Sequence, residues 1–597
     1  LLFYHAFEDF LRQEKPSTMN QYTQLFAQTA FICIQNLLYV GYDPDHPQTP
    51  RFNLKPNDWS FPCKELVISS IIMYACHFSI DLIQRVIYHY IRTRPDSESA
   101  EEFFLRYDVE PFVIYKDDYY YKALDLVTDW FRPPELIHPV HFTDLRWYPW
   151  KLSTNAERPF SVDKQLKRTL VDAYHSGFIE NAKVSFHNLF NQIFIYSREY
   201  IHKVKNGLDV PLHHITLHVK PALTLIYNQA KVRTVFGVSK CLIFAEAMFF
   251  WPLFSTYFTT QCSPLLWNYE TLNGGWYRLN DEYNHKYRAF HPIFNLDWSE
   301  FDMHVYFSMW QDIRNKVKTY FCFCGRYHPT RTYPNAQTEP SRLHNLWNWI
   351  GTAYENTLCV TPTGKLYQRL YAGMPSGIFC TQFYDSFYNG VMIVTCLLAL
   401  GYTVSPTHFL KLMGDDALFG LLESIPLDKW ADFLEAFAQE AKFRFNSKLS
   451  SDKCGVSLRI HGATVLSYSN WNGFPIRDPE QLLAQLLHPK SLRDTPSRLM
   501  ARAIGIYYAS AGDKRIRPIC EHIYSDLKRQ GFEPSIRGLT DLFGDVLTPT
   551  FRFDLSHFPS ETEVLARISG PSFRSTELQA SYWPLEHFLV QAGSSLH

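Results

Sequence analysis

An α+β fold is predicted for this 597-residue chain, and three observations carry the prediction. Long stretches repeat apolar residues at helical spacing, among them Ile68–Ile91 and residues 427–442. Short apolar runs at Phe294–Asp297 and on both sides of Gly414-Asp415-Asp416 read instead as strands, the latter two as a hairpin. The composition is globular: 46% hydrophobic, 20% charged, 16% aromatic, with a formal net charge of −1. It excludes a disordered chain and a uniformly basic nucleic-acid coat, but leaves room for a local basic channel. The length is that of roughly three to four domains of ~150 residues.

Along the chain, the first ~140 residues are aromatic-rich and mainly helical by pattern. Ile68–Ile91 reads as one long helix with Pro95 beyond its end, and Arg94–Glu102 as a polar surface loop. Pro133-Pro134 breaks the pattern before His141–Phe160, which suits either a nucleic-acid lining or a packed, aromatic-anchored loop. Residues 201–240 hold six basic residues, Lys203, Lys205, Lys220, Lys231, Arg233 and Lys240, against the single acid Asp209. Lys231 to Gly237 alternates basic and apolar, as a strand with one charged face would. Phe387–Leu400, 14 residues long, is a buried helix rather than a membrane span. Residues 490–529 are again basic; Arg498 and Arg502 share a helix face and suit either a grip on duplex backbone or ordinary surface charge. The twelve cysteines are scattered, as free thiols in a reducing compartment are. Cys322, Cys324 and His328 are three soft donors, but no fourth stands at zinc spacing, so no zinc site is expected.

Three segments carry chemistry. In Phe294-Asn-Leu-Asp297-Trp-Ser-Glu-Phe-Asp302, two acids frame the exit of a buried strand. In Gly373-Met-Pro-Ser376-Gly377-Ile-Phe-Cys-Thr381-Gln-Phe-Tyr-Asp385-Ser386-Phe-Tyr-Asn389, a Gly/Pro loop opens a long helix whose start can approach a ligand closely. In His408–Gly420, Gly414-Asp415-Asp416 sets adjacent carboxylates at a tight turn, which is costly unless a cation neutralises them. Each is weak alone; in this order they form a set. The set fits two-metal phosphoryl transfer, in which carboxylates from separate strands hold two Mg²⁺ ions. Asp297 and Asp415 are the natural pair and Asp416 the next ligand. Lys231 and Arg233 would hold a triphosphate.

The order Lys-x-Arg, Asp-Trp-Ser-Glu-Phe-Asp, Gly-Met-Pro-Ser-Gly with Thr381-Gln382, then Gly-Asp-Asp resembles motifs F, A, B and C of viral RNA-dependent RNA polymerases. In Asp385-Ser386, in Leu466-Ser-Tyr468 with Gly473-Phe-Pro-Ile-Arg477, and in the upstream 141–160 segment it is most similar to the partitivirus group of double-stranded RNA viruses, with picobirnavirus polymerases as near neighbour. The resemblance implies a right-hand cup of fingers, palm and thumb, with an antiparallel palm sheet, packed helices and a largely helical N-terminal region and thumb. The boundaries it implies are an N-terminal extension over 1–140 bridging fingers and thumb, fingers over 141–290 and 303–370, palm over 291–302 and 371–475, and thumb over 476–597.

It also implies roles. Asp297, Asp415 and Asp416 would be catalytic and hold two Mg²⁺, with Mn²⁺ able to substitute. Asp302 would sense the ribose 2′-hydroxyl, and Ser376, Gly377 and Thr381 would shape the loop that positions template and nucleotide. Positive-strand enzymes have Asn where Asp385 stands, which leaves open whether Asp385 or Asn389 completes sugar selection. Residues 427–442 resemble the motif D helix, and either Lys448 or Lys453 after it would be the general acid. The implied partners are RNA template and product duplex, nucleoside triphosphates and capsid protein, with no membrane; the implied location is the virion interior in the host cytoplasm. Two alternatives stand beside this reading. A reverse transcriptase would carry a bulky aromatic where Asp302 stands. A catalytically inactive palm acting as a structural RNA-binding protein would not retain Asp297, Asp415 and Asp416 intact.

Overall fold

The computed structural model describes residues 35–46, 61–93, 97–228, 232–260, 262–490, 494–543, 552–570 and 582–593. Helices and mostly antiparallel sheets mix throughout them, an α+β arrangement. A four-stranded sheet runs in the order Leu410–Met413, Asp416–Gly420, Ile293–Leu296, Gly455–Ser457, each pair antiparallel. Side chains alternate across it. Phe294, Leu296, Ala417 and Phe419 enter the largest core, while Ile293 and Leu418 enter a smaller one with Trp276, Leu279 and Tyr283. Covered on both faces, these strands read as continuous apolar runs. Helix Trp430–Phe445 packs on the first face, with Phe433 4.5 Å from Phe294 and Phe437 5.9 Å from Phe419, ring to ring. This is the amphipathic helix expected over 427–442.

A five-stranded sheet joins Leu37–Tyr42, Lys365–Arg369, Cys359–Val360, Ile215–Pro221 and Val232–Gly237, with one parallel pairing. The strand expected from the basic/apolar alternation is therefore present. Helix Thr381–Ala399 is buried from Phe383 to Leu398, as expected for Phe387–Leu400. Lys240–Thr260 is also long and apolar enough to cross a membrane by length and composition, yet 89% of its most apolar window is buried inside the protein. A second core gathers helices Pro479–Leu487, Pro496–Ala509 and Arg517–Arg529 with Phe61–Met73 and residues 80–89 from the N-terminal part. Arg85 clasps Glu480 across it with two bonds of 3.0 and 2.8 Å.

Several expectations are corrected. Ile68–Ile91 is not one helix. The first helix ends at Met73, Ser79 caps a new short one by accepting from the Leu82 amide at 3.2 Å, and Tyr90–Arg92 pairs as a strand with Leu223–Leu225. A serine in extended conformation competes for helix amides better at a cap than inside a turn. Arg94–Glu102 is not a loop throughout, because Ser97–Leu105 is helical and buries Ala100 and Phe104, while Glu101 meets Lys365 at 2.5 Å. Arg502 faces no solvent. It is 2% exposed and bonds Asp494 at 2.8 and 3.0 Å, so burial rather than duplex binding explains it. The 141–160 segment is the packed alternative: Phe142 and Leu145 are buried, Asp144 accepts from His587 at 2.8 Å, and Arg158 is paired with Asp43.

Candidate active site

Strand register brings the acids together. Leu296 pairs with Ala417 and Met413 with Asp416, so Asp297 leaves its strand beside the turn that carries Asp415. Gly414 supplies that turn's left-handed conformation, φ +65°. Asp416 is pushed up to about 7, by burial first and then by the charges of Asp415 and Asp297. Neighbouring like charges disfavour a further ionisation in this way. Lys453 reaches the cluster, its Nζ 3.3 Å from Asp297 Oδ1. Lys448, the other expected lysine, is exposed and sits across from Ser299 in a two-stranded pairing.

Asp302 and Asp385 form a second, more buried carboxyl pair. Both are raised by burial above all; Asp302 is raised further by Asp415, and Asp385 by Asp302 and Asp415. Their interaction lowers Asp302 and raises Asp385, so that Asp385 is the one held more in its protonated form. Asp385, the departure from the positive-strand pattern, is therefore directly coupled to the expected sugar sensor.

Asn389 is placed differently from expectation. Its amide nitrogen donates to the carbonyls of Gly414 at 3.1 Å and Asp415 at 2.9 Å, and its oxygen accepts from Trp298 Nε1 at 2.8 Å. It is fully buried, and its side chain is used in holding the turn. Ser386, three residues earlier on the same helix face, accepts from the Gly414 amide at 2.8 Å. Together they clamp the carboxylate turn.

The loop before this helix is equally determined. The Met374 amide donates to the Asp302 carbonyl at 2.8 Å and Gly373 to Val305 at 3.0 Å. A Cβ at Gly377 would lie 1.7 Å from the Phe236 carbonyl oxygen, so only glycine fits against that strand. Ser376 is half-buried, and Thr381 donates to the Ile378 carbonyl at 3.0 Å. Two residues that sequence reasoning missed complete the support. Asn36 accepts from the amides of Tyr371 and Ala372, both at 3.0 Å. Glu246 accepts from the Phe379 amide at 3.0 Å and Tyr354 hydroxyl at 2.6 Å, and burial pushes it up to about 7. An acid in the middle of an apolar helix was a legible signal for Glu246; Asn36 had none. Lys231 lies outside the described residues. Arg233 is on the strand Val232–Gly237, opposite Lys220, and its side chain lies outside the description.

An order of strand, loop-and-helix and acidic hairpin that gathers carboxylates from three chain segments defines a nucleotidyltransferase-type site. The family described as viral RNA-directed RNA-polymerase matches residues 280–451, the span holding all five acids. The chain is 32% identical to an RNA-directed RNA polymerase of White clover cryptic virus 1, covering 94% of this chain and 98% of that protein. It is 26% identical to one of Atkinsonella hypoxylon virus, covering 72% and 71%. The chain belongs to the viral RNA-directed RNA polymerases, the family its motifs resembled, and it synthesises RNA on an RNA template. The reverse-transcriptase alternative is set aside.

Proposed function

We propose that this polymerase replicates and transcribes a double-stranded RNA genome of partitivirus type by two-metal-ion nucleotidyl transfer. The observation that carries the mechanism is the convergence of Asp297, Asp415 and Asp416, whose hard oxygen donors fit divalent cations and whose crowded negative charge, felt at Asp416, a cation would relieve. These three would hold two Mg²⁺ ions, with Mn²⁺ able to substitute. Bound there, the ions supply the charge that favours 3′-hydroxyl attack and pyrophosphate departure.

The chain's own residues do the rest. Asn389 and Ser386 hold the Asp415 turn still, and positioning of this kind is a large part of phosphoryl-transfer catalysis. Asp302, with Asp385 hydrogen-bonded to it, accepts from the ribose 2′-hydroxyl. Lys453 is favoured over Lys448 as proton donor to pyrophosphate, because it already reaches Asp297. Lys231 and Arg233 grip the triphosphate, and Ser376, Gly377 and Thr381 shape the template loop. The cup would take the expected boundaries, with the palm around the four-stranded sheet, the thumb in the C-terminal helical core, and the fingers around the five-stranded sheet, which the N-terminal strand Leu37–Tyr42 also joins. Contacts of Asn36 with Tyr371 and Ala372, and of Arg85 with Glu480, support residues 1–140 as the bridge. Capsid protein would be the partner within a virion in the host cytoplasm.

The test is incorporation of labelled ribonucleotides on an RNA template with Mg²⁺. Product made by the wild type and lost in folded Asp415→Ala supports the mechanism; near-normal synthesis by that variant sinks it. Arg233→Ala should impair nucleotide KM or kcat far more than RNA affinity. Equal loss of RNA affinity with unchanged nucleotide kinetics makes it a template contact instead.

A further inference from the structure

We infer that His138, Cys322 and Cys324 form a structural zinc site, built from other segments than the carboxylate cluster and independent of the mechanism proposed for it. One ligand atom from each of the three lies within 4.8 Å of the others. Cys324 Sγ stands 4.0 Å from His138 Nδ1. Both cysteines are free thiols; Cys322 is half-buried and Cys324 exposed, which leaves an ion a way in. Zinc bonds of about 2.3 Å to sulfur and 2.0–2.1 Å to nitrogen put tetrahedral ligand atoms roughly 3.5–4 Å apart. Closing the three donors onto one ion therefore needs only small side-chain rotations.

The backbone already holds this geometry. Ile137 forms a parallel bridge with Phe321. The Ile137 amide donates to the Tyr320 carbonyl at 2.8 Å, and the Cys322 amide returns a bond to the Ile137 carbonyl at 2.8 Å. The His328 amide donates to Pro139 at 3.1 Å. Two segments far apart in sequence are thus laced together where their soft side chains meet. Sequence spacing hid the site because the histidine that joins the cysteines is not the nearby His328 but His138.

His328 stands beside the group as a candidate fourth donor. It is 2% exposed, its ring centroid lies 6.3 Å from that of His138, and neither ring nitrogen has a hydrogen-bond partner. An unmet buried imidazole is unfavourable, and a metal bond would satisfy it. The donor class selects the ion. Thiolate and imidazole suit Zn²⁺, whereas Mg²⁺ takes oxygen ligands. Binding converts two thiols to thiolates and releases two protons to solvent.

The full chain, purified under reducing conditions, is dialysed against Zn²⁺ and then against metal-free buffer, and its metal content is measured. Retention of about one zinc per chain by the wild type and by Asp415→Ala, and its loss from Cys322→Ser/Cys324→Ser, is the expected result. A second measurement needs no variant: Co²⁺ loaded in place of Zn²⁺ should give intense tetrahedral visible bands and near-ultraviolet thiolate charge-transfer bands. No retained zinc, zinc unaffected by the double serine variant, or a Co²⁺ spectrum without thiolate bands overturns the assignment.

Discussion

Asp415 and Asp494 are both aspartates that close on a neighbouring element, but they live in opposite electrostatic surroundings. Asp494 is 7% exposed and receives two parallel bonds from Arg502, itself 2% exposed. Its charge is met within the fold, as buried ion pairs require. Asp415 stands at a turn where its charge raises the pKa of Asp416, Asp302 and Asp385, with half-exposed Lys453 bonded to Asp297 nearby. Negative charge is concentrated there and clamped in place by neutral amides and a hydroxyl from Asn389 and Ser386. The difference separates structure from chemistry. A compensated carboxylate stabilises; a cluster of under-compensated ones, held rigidly, is prepared for a cation from outside.

Five measurements would break or sharpen that contrast. The largest effect is expected at the under-compensated cluster. Asp415→Ala should cut nucleotide incorporation by about three orders of magnitude or more, without lowering the thermal midpoint, because it removes repulsion rather than packing. Mg²⁺ should raise the midpoint of the wild type and not that of Asp297→Ala/Asp415→Ala. At the compensated pair the signature reverses. Arg502→Met strands a buried carboxylate and should cost about 3–5 kcal/mol in denaturant unfolding, much of it recovered in Arg502→Met/Asp494→Leu. Retained stability in the single variant would show Asp494 to be less dependent on its partner than its burial implies.

Next comes sugar choice. An unmet buried acceptor costs ~1–3 kcal/mol, so the ATP to dATP ratio of kcat/KM should fall roughly five- to 150-fold in Asp302→Ala. Asp385→Asn should shift the same ratio if the hydrogen-bonded pair acts together, and a ratio unmoved by either would remove both from sugar selection. The smallest effect concerns Glu246, an acid that is buried without a cation. Its folded pKa, about 7, lies above the ordinary carboxylate value of 4.5. The folded protein therefore holds this proton more tightly than the unfolded chain. The associated stability is fully present below pH 4.5 and is lost as pH rises to about 7. Glu246→Gln should flatten the fall of stability across that window, by on the order of 1–3 kcal/mol. Parallel curves for variant and wild type would mean that Glu246 does not titrate there.

The sequence by itself determined the α+β class, the acidic hairpin at Gly414–Asp416, the strand into Asp297, the loop and helix from Gly373 to Ala399, and the family. These depend on neighbours in the chain: alternation across a sheet, glycine at a turn, a helix opening after small residues. What it could not determine were partners and burial. Arg502 looked like surface charge until packing buried it against Asp494. Ile68–Ile91 kept helical spacing although Ser79 divides it, because apolar period alone does not register a cap that tertiary contacts reward. Asn389 sat one helical turn past the expected position, and only the approach of the helix to the Gly414 turn made it a clamp. Asn36, Glu246 and His138 lie far in sequence from the segments they meet. Local chemistry sets conformation over a few residues, whereas burial and hydrogen-bond partnership are settled by which distant segments exclude water together, and that is decided only when the chain is folded.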